Sequence, residues 1–515
     1  MHAAFVAAGI LLSRILGLVR ESLKARYLGA TTNIAADAFN AAFSVPNSLQ
    51  NLFGEGALSA SFIPVYANAL ARGDQQEASR VASAIGAILG LVTAILVLLG
   101  IVAAPLLVDA LLWGFEGEKR DLTIRLVRIL FPGAALFVFS AWCLGILNSH
   151  RRFFLSYAAP VAWNVAMIVA LLLYRRRAPI DLVFIIAWAS VVGAGLTFAV
   201  QLPVVLRVVS GLRATLGRGD AAVRSVIRNF GPAFLARGVL QISAFIDRLI
   251  ASFLPGAVSL LAYTQTLVML PVSLFGMAVS AAELPAMSSA LGSQEEVAAQ
   301  VRGRLNTGLR HIAFFVIPSA IGFLLLGDTI IRALFQGGRF TPLDARFSWG
   351  ILAAASLGLL ATTQARLYSS SFYALHDTRT PLRFAVVRVT LAAGLGAGLA
   401  FAVPALTGIA PQWGAAMLAL ASSIAGWVEL TLLRRGMNRR IGETGLGARY
   451  TATLLAAAAV AGALAFVVKP YVADLNRFVA VIVAIGTFAA VYFAAASLFR
   501  VPEMQSAVRR LRGSR

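Results

Sequence analysis

The chain has 515 residues, of which 59% are hydrophobic and only 13% charged, and its mean hydropathy is +0.82. That excludes a soluble globular domain and reads as an all-α polytopic membrane protein, because spanning segments must satisfy their own backbone in lipid. The formal net charge of +22 is spread over short loops and not gathered on one soluble face, which argues against nucleic acid as a partner.

A spanning helix needs about 20 apolar residues, and roughly fourteen such segments are expected. They fall at 3–26, 34–69, 81–112, 122–147, 153–174, 181–208, 228–252, 257–290, 306–327, 346–374, 381–404, 412–434, 449–469 and 475–499. The first opens MHAAFVAAGILLSR with no A-x-A cleavage site, so it is expected to be retained as a helix. It carries Arg14 and Arg20, which a straight helix places about 120° apart, so a bend at Gly17 is expected if both face one cavity. Lys24 and Arg26 read as snorkelling anchors at the membrane surface.

In the second span Asp37, Asn40, Ser44, Asn47, Ser48, Asn51 and Glu55 fall within a sector about 100° wide, although Pro46 must bend the helix. Water or a polar ligand is expected along that stripe. Cys143, the single cysteine, sits in an apolar run, which excludes an intramolecular disulfide and a cysteine-type zinc site. Residues 207–228 are basic and partly amphipathic, and read equally as a linker or as a surface helix on anionic lipid.

The seventh span places Arg237, Gln241, Ala244 and Arg248 on one face at spacings of four, three and four. Two readings stand: Asp247 pairs with Arg248, or the arginines share an aqueous cavity whose net positive charge attracts phosphate. Glu283 and Glu429 lie in apolar context with no partner visible in the sequence. The four histidines are scattered, and no H-E-x-x-H, phosphate loop, nucleophile elbow or calcium loop occurs. No enzyme activity, cofactor or metal is expected.

An internal echo sets the organisation. VPNSLQNLFGEGALSASFIP and LPVSLFGMAVSAAELP recur about 220 residues apart, and the loops carrying His150 and His376 follow each at a comparable distance. Two six-helix lobes related by pseudo-twofold symmetry are expected, at 1–208 and 228–434, with a basic linker at 209–227, two appended helices at 449–499 and a basic tail at 500–515. Arginine-rich even-numbered loops put both termini in the cytoplasm, against the dissenting run 175–177.

SRILGLVRE, DAFNAAFSVPN, FGEGALSASFIPVY, LFQGGRFTPLDA at 334–345 and FYALHDTRTPLR at 372–383 resemble the motifs of the MurJ/MviN lipid II flippases. The resemblance runs in order from the first helix to at least the eleventh, and in the last three helices rests on hydropathy. It implies the multidrug/oligosaccharidyl-lipid/polysaccharide transporter fold, a central cationic cavity, and a groove for a polyprenyl tail at the two C-terminal helices.

By that resemblance Arg14, Arg20, Asp37, Asn47 and Glu55 match family positions. The chain departs where members carry basic residues, at Gln50–Asn51 and Thr266, and Arg237 and Arg248 are expected to supply the displaced charge. The implied function is to move undecaprenyl-pyrophosphate-linked peptidoglycan precursor from the inner to the outer leaflet of a bacterial cytoplasmic membrane by alternating access. Lipid II and membrane lipids are then the partners, and a monomer is expected. An exporter of another lipid-linked oligosaccharide or of drugs shares the fold. A membrane-embedded glycosyltransferase would need an acid or base at the membrane surface, where the loops are short and mostly basic.

Overall fold

The computed structural model describes residues 2–209, 211–213, 215–217, 219–289, 292–472 and 476–506, apart from the side chains of 2–8, 10, 54–56, 153, 156, 157, 232, 233, 235–240 and 242. Within it the chain is built from helices that form two compact units. The first comprises the described residues up to Ser259 with Gly338–Phe340, and the second the remainder.

The first unit contains α1 (His2–Leu28), α2 (Ala35–Gln50), a π-helical segment (Asn51–Leu58), α3 (Ser59–Ala71), α4 (Gln75–Val102), α5 (Ala104–Leu111), α6 (Gly117–Ser149), α7 (Phe153–Leu173), α8 (Pro179–Val208) and α9 (Ala221–Ser252). Its core gathers Phe62, Tyr66, Trp142 and Leu147, with Val223 and Val226 of α9. The second contains α10 (Ala257–Pro271) from Leu260 onward, a π-helical segment (Val272–Met277), α11 (Ala278–Ser288), α12 (Gln294–Leu334), α13 (Pro342–Ala374), α14 (Arg379–Thr407), α15 (Gly414–Ile441), α16 (Ala448–Val468) and α17 (Arg477–Leu498). Leu309, Tyr368, Phe372 and Leu433 lie in its core.

Among the described residues, ten helices are long and apolar enough to cross a membrane. Leu98, Leu99, Val102, Val192 and Ile482 stand exposed on such helices, as chains solvated by lipid require. Small residues bring helices close: a Cβ at Gly193 would meet Trp163 at 2.7 Å, and one at Gly358 would meet Ser423 at 2.6 Å. Helix starts follow local chemistry. Ser293 and Glu296 form a capping box that begins α12 well before its apolar run, so this helix spans 41 residues where 306–327 was expected. Thr341 and Asp344 do the same for α13.

Three expectations change. The second span is not one α-helix but α2, a π segment and α3; Pro46 lies inside α2, and the ladder loosens five residues later. Within 207–228, the described residues 209, 211–213, 215–217, 219 and 220 lie outside helices, and α9 begins only at Ala221, where Asp220 caps it by accepting from the N–H groups of Ala222 and Val223. Finally, α9, expected to open the second lobe, is packed with the first unit, where Phe230 and Phe234 lie against Phe53 at 5.5 and 5.1 Å.

Candidate functional site

The charged groups singled out on α1 and α2 sit in two linked clusters within the first unit. Arg20 stacks on Trp163 of α7, its guanidinium carbon 4.1 Å from the ring centre. Its Nη1 donates to Asn164 Oδ1 at 2.8 Å, and Nε and Nη2 donate to Glu21 Oε1 at 3.2 and 2.7 Å. A planar cation held on one face and along its edge is immobilised, leaving its remaining donors available. Glu21 also faces Lys24 Nζ at 2.6 Å, one helical turn on. Lys24 in turn donates to Asn40 Oδ1 of α2 at 2.8 Å, and Asn40 Nδ2 donates to Ser259 Oγ at 3.1 Å.

The second cluster centres on Asp37, only 1% exposed. Its Oδ2 accepts from Lys119 Nζ of α6 at 2.7 Å and from the Gly256 N–H at 3.0 Å, and its Oδ1 from the Ser259 N–H at 2.9 Å. Lys119 Nζ also lies 3.8 Å above the Phe115 ring. Gly256 has φ +74, and a Cβ there would come within 3.0 Å of the Thr31 backbone, so this turn admits only glycine without strain. Nearby, Gly338 has φ +59 and would place a Cβ 2.3 Å from Arg26 O, while Arg339 N–H donates to that same oxygen at 2.8 Å. Gly338 and Arg339 therefore dock on the end of α1.

These positions correct the sequence expectations. Asp37, Asn40, Ser44 and Ser48 do not line a hydrated stripe: all four are buried. Ser44 and Ser48 donate to carbonyls of their own helix, while Asp37 and Asn40 are occupied by lysines. Lys24 is not a surface anchor, being 5% exposed. Its signal was the i, i+3 opposite charge at Glu21, which charge patterning alone could have found. Lys119, Trp163, Asn164 and Ser259 carried no sequence signal.

Arg14 is exposed, and Asn47, Asn51 and Gln241 are half-buried. The side chains of Glu55 and Arg237 lie outside the described residues. Arg248 has its guanidinium 5.8 Å from the Phe245 ring, and its buried Nη1 has no hydrogen-bond partner among the described residues. Arg14, Arg20, Lys24 and Lys119 against Glu21 and Asp37 leave this region net positive.

Charges also enter the second unit, where Glu283 meets Arg304 at 3.5 Å and Glu429 meets Arg388 at 3.2 Å. A cavity of about 250 Å³ there is lined by Phe275, Phe315, Phe323, Ile485, Phe488 and Phe493, among others. Among the described residues, no three of His, Cys, Asp or Glu gather as a metal site would require.

Apolar helical rods that carry positively charged, immobilised groups in their interior define a multi-pass membrane transporter. The comparisons narrow that class. A family profile described as "Lipid II flippase MurJ" matches residues 24–494. A protein of Rhizobium tropici named "Probable lipid II flippase MurJ" is 33% identical over 468 residues, covering 89% of this chain and 84% of that protein. The "Lipid II flippase MurJ" of Burkholderia cenocepacia is 32% identical over 388 residues, 74% of each.

Among solved structures, "Lipid II flippase MurJ, inward closed conformation" aligns with a TM-score of 0.78 at 24% identity, over 96% of this chain and 98% of that one. An inward-facing multidrug resistance MATE transporter of the MOP superfamily aligns at 0.65 with 15% identity, over 83% and 95%. The chain belongs to the lipid II flippase MurJ family.

Proposed function

We propose that this protein flips lipid II, the undecaprenyl-pyrophosphate-linked precursor of peptidoglycan, from the inner to the outer leaflet of the bacterial inner membrane. The observation that carries this reading is the family match across the chain, joined to an Arg20 guanidinium fixed by Trp163, Asn164 and Glu21 inside a span. Pyrophosphate is a bidentate target for guanidinium, and charge-assisted bonds to it are the strong kind. Arg14, exposed six residues before Arg20, supplies a second cation, and Arg248, with a buried donor still open, a third.

Asp37 serves the substrate indirectly on this reading, by holding Lys119 and the turn before α10. With the positive-inside orientation, both termini are cytoplasmic, and the Asp37 cluster closes the outer end of the first unit. The aromatic cavity between α12 and α17 suits part of the polyprenyl tail. The chain acts as a transporter and not as an enzyme, and as a monomer. The test is complementation of a strain depleted of its lipid II flippase, with lipid II exposure on the outer leaflet as readout. Wild type restores exposure; Arg14→Ala and Arg20→Ala reach the membrane at normal abundance and fail. Exposure equal to wild type in both variants would overturn the assignment of pyrophosphate to these arginines.

A further inference from the structure

Glu429, which had no partner in the sequence, gains one in the fold. It lies on α15, α14 brings Arg388 Nε to 3.2 Å from its Oε2, and α13 contributes Arg366 and Tyr373. All three helices are long and apolar enough to span. At about 1.5 Å per residue, Glu429, Arg388 and Arg366 lie about 18, 14 and 12 Å in from helix ends that face the same side. Arg388 and Arg366 are the charged groups that act on Glu429, and Tyr373 is the titratable group it acts on.

Three features separate this pair from a packing contact. Both side chains keep partial exposure, 13% for Glu429 and 27% for Arg388, so helix packing alone does not seal the pair. The Arg388 Nε is buried yet makes no hydrogen bond among the described residues, so the pair is close without the geometry that would lock it. A lone carboxylate can accept a proton by itself, whereas a metal ion needs several oxygen ligands. Intramembrane ionisable groups are costly and are retained where charge must move.

We propose that Glu429 is a proton-binding site that couples a proton to each transport cycle, with Arg388 as the cation that holds it ionised when empty. Loading adds one proton to the Glu429 carboxylate, and no other bond changes. The carboxyl is then neutral and Arg388 loses its counter-ion, so α14 and α15 favour a second arrangement; releasing the proton restores the pair. The state of this site thereby biases the second unit. The proposal rests on the flippase reading for the cargo, but proton binding is measurable without cargo.

Two measurements test it on the purified full-length protein. Infrared difference spectra between mildly alkaline and mildly acidic buffer should show a protonated-carboxyl band that disappears in Glu429→Gln. In proteoliposomes carrying lipid II, a pH gradient should shift the steady-state ratio of outer to inner substrate by about tenfold per unit, as one proton per cycle requires, and Glu429→Gln should abolish that shift while flipping persists.

If Glu429→Gln does not fold, the double variant Arg388→Gln/Glu429→Gln, which leaves no orphan charge, replaces it. A carboxyl band retained in whichever variant folds, or a gradient response retained there, overturns the proposal. Absence of flipping by wild type overturns the cargo assignment, and the infrared band alone then decides the proton site.

Discussion

At the scale of single residues, the fold sets the role of a charge by its company. Asp37 would read as a ligand for cargo if it were wet; buried with a lysine and two backbone donors, it is a clasp. Removing it should leave Lys119 and two N–H groups unsatisfied. Asp37→Ala is expected to lower stability by about 3–5 kcal/mol, the usual cost of breaking a buried pair, and Asp37→Asn/Lys119→Met should recover much of it. Thermal unfolding of the purified variants decides the matter, and a double variant as unstable as the single would refute the clasp.

His150 supplies a pH dependence at the same scale. It ends α6, outside the span, with Nε2 3.0 Å from the Tyr66 hydroxyl. Burial pushes its pKa below the ordinary histidine value, and the Arg152 charge adds to that. The neutral imidazole is therefore the form the fold favours. The stability it contributes is complete above the unfolded value of about 6.5 and is lost as pH falls through the lower folded value. Unfolding temperatures measured from neutral to mildly acidic pH should fall in the wild type and fall less in His150→Gln, which hydrogen-bonds without titrating. Parallel curves would show that the imidazole is not the group responsible.

At the scale of elements, the internal echo marks the places where the helical ladder loosens. Phe53–Gly54 and Phe275–Gly276 both lie within π-helical segments, Asn51–Leu58 and Val272–Met277. The chain also reverses alike after α6 and α13: Arg151 and His376 adopt φ +58 and +59, and the N–H groups of Arg152 and Asp377 reach back to Leu147 O and Phe372 O. The equivalent of His376 is thus Arg151, one residue beyond the expected match.

A π turn carries an extra residue whose removal restores an α-helix without displacing its flanks, and such turns concentrate at functional sites. Deleting Ser273 should therefore leave membrane abundance near wild type and reduce flipping at least several-fold. Undiminished outer-leaflet exposure of lipid II in the deletion strain would show that the π segment is incidental.

At the scale of the whole molecule, each unit has its own apolar core and its own charges within the spans. The first holds a net positive set around Arg20 and Lys24; the second pairs Glu429 with Arg388 and Glu283 with Arg304. In the second unit, α12 and α17, with Phe275, enclose an aromatic cavity. The net charge of +22 is the sum of such local arrangements with the basic loops, and not one binding face.

Most spans, and the echo that coincides with both π segments, were legible in the sequence, because hydropathy and repetition need no knowledge of which helices meet, whereas the caps at Ser293 and Thr341 that set the true starts of α12 and α13 were passed over. Arg14 and Arg20 stood out in the sequence too, since a guanidinium within an apolar run has few innocent uses. The company those charges keep did not. Lys119 lies 82 residues from Asp37, Gly256 lies 219 from it, and Asn164 lies 144 from Arg20. Helical periodicity assigns a face to a residue but not the helix that face meets, so Asp37 and Lys24 passed for a wet stripe and a surface anchor until packing brought their partners to hydrogen-bonding distance.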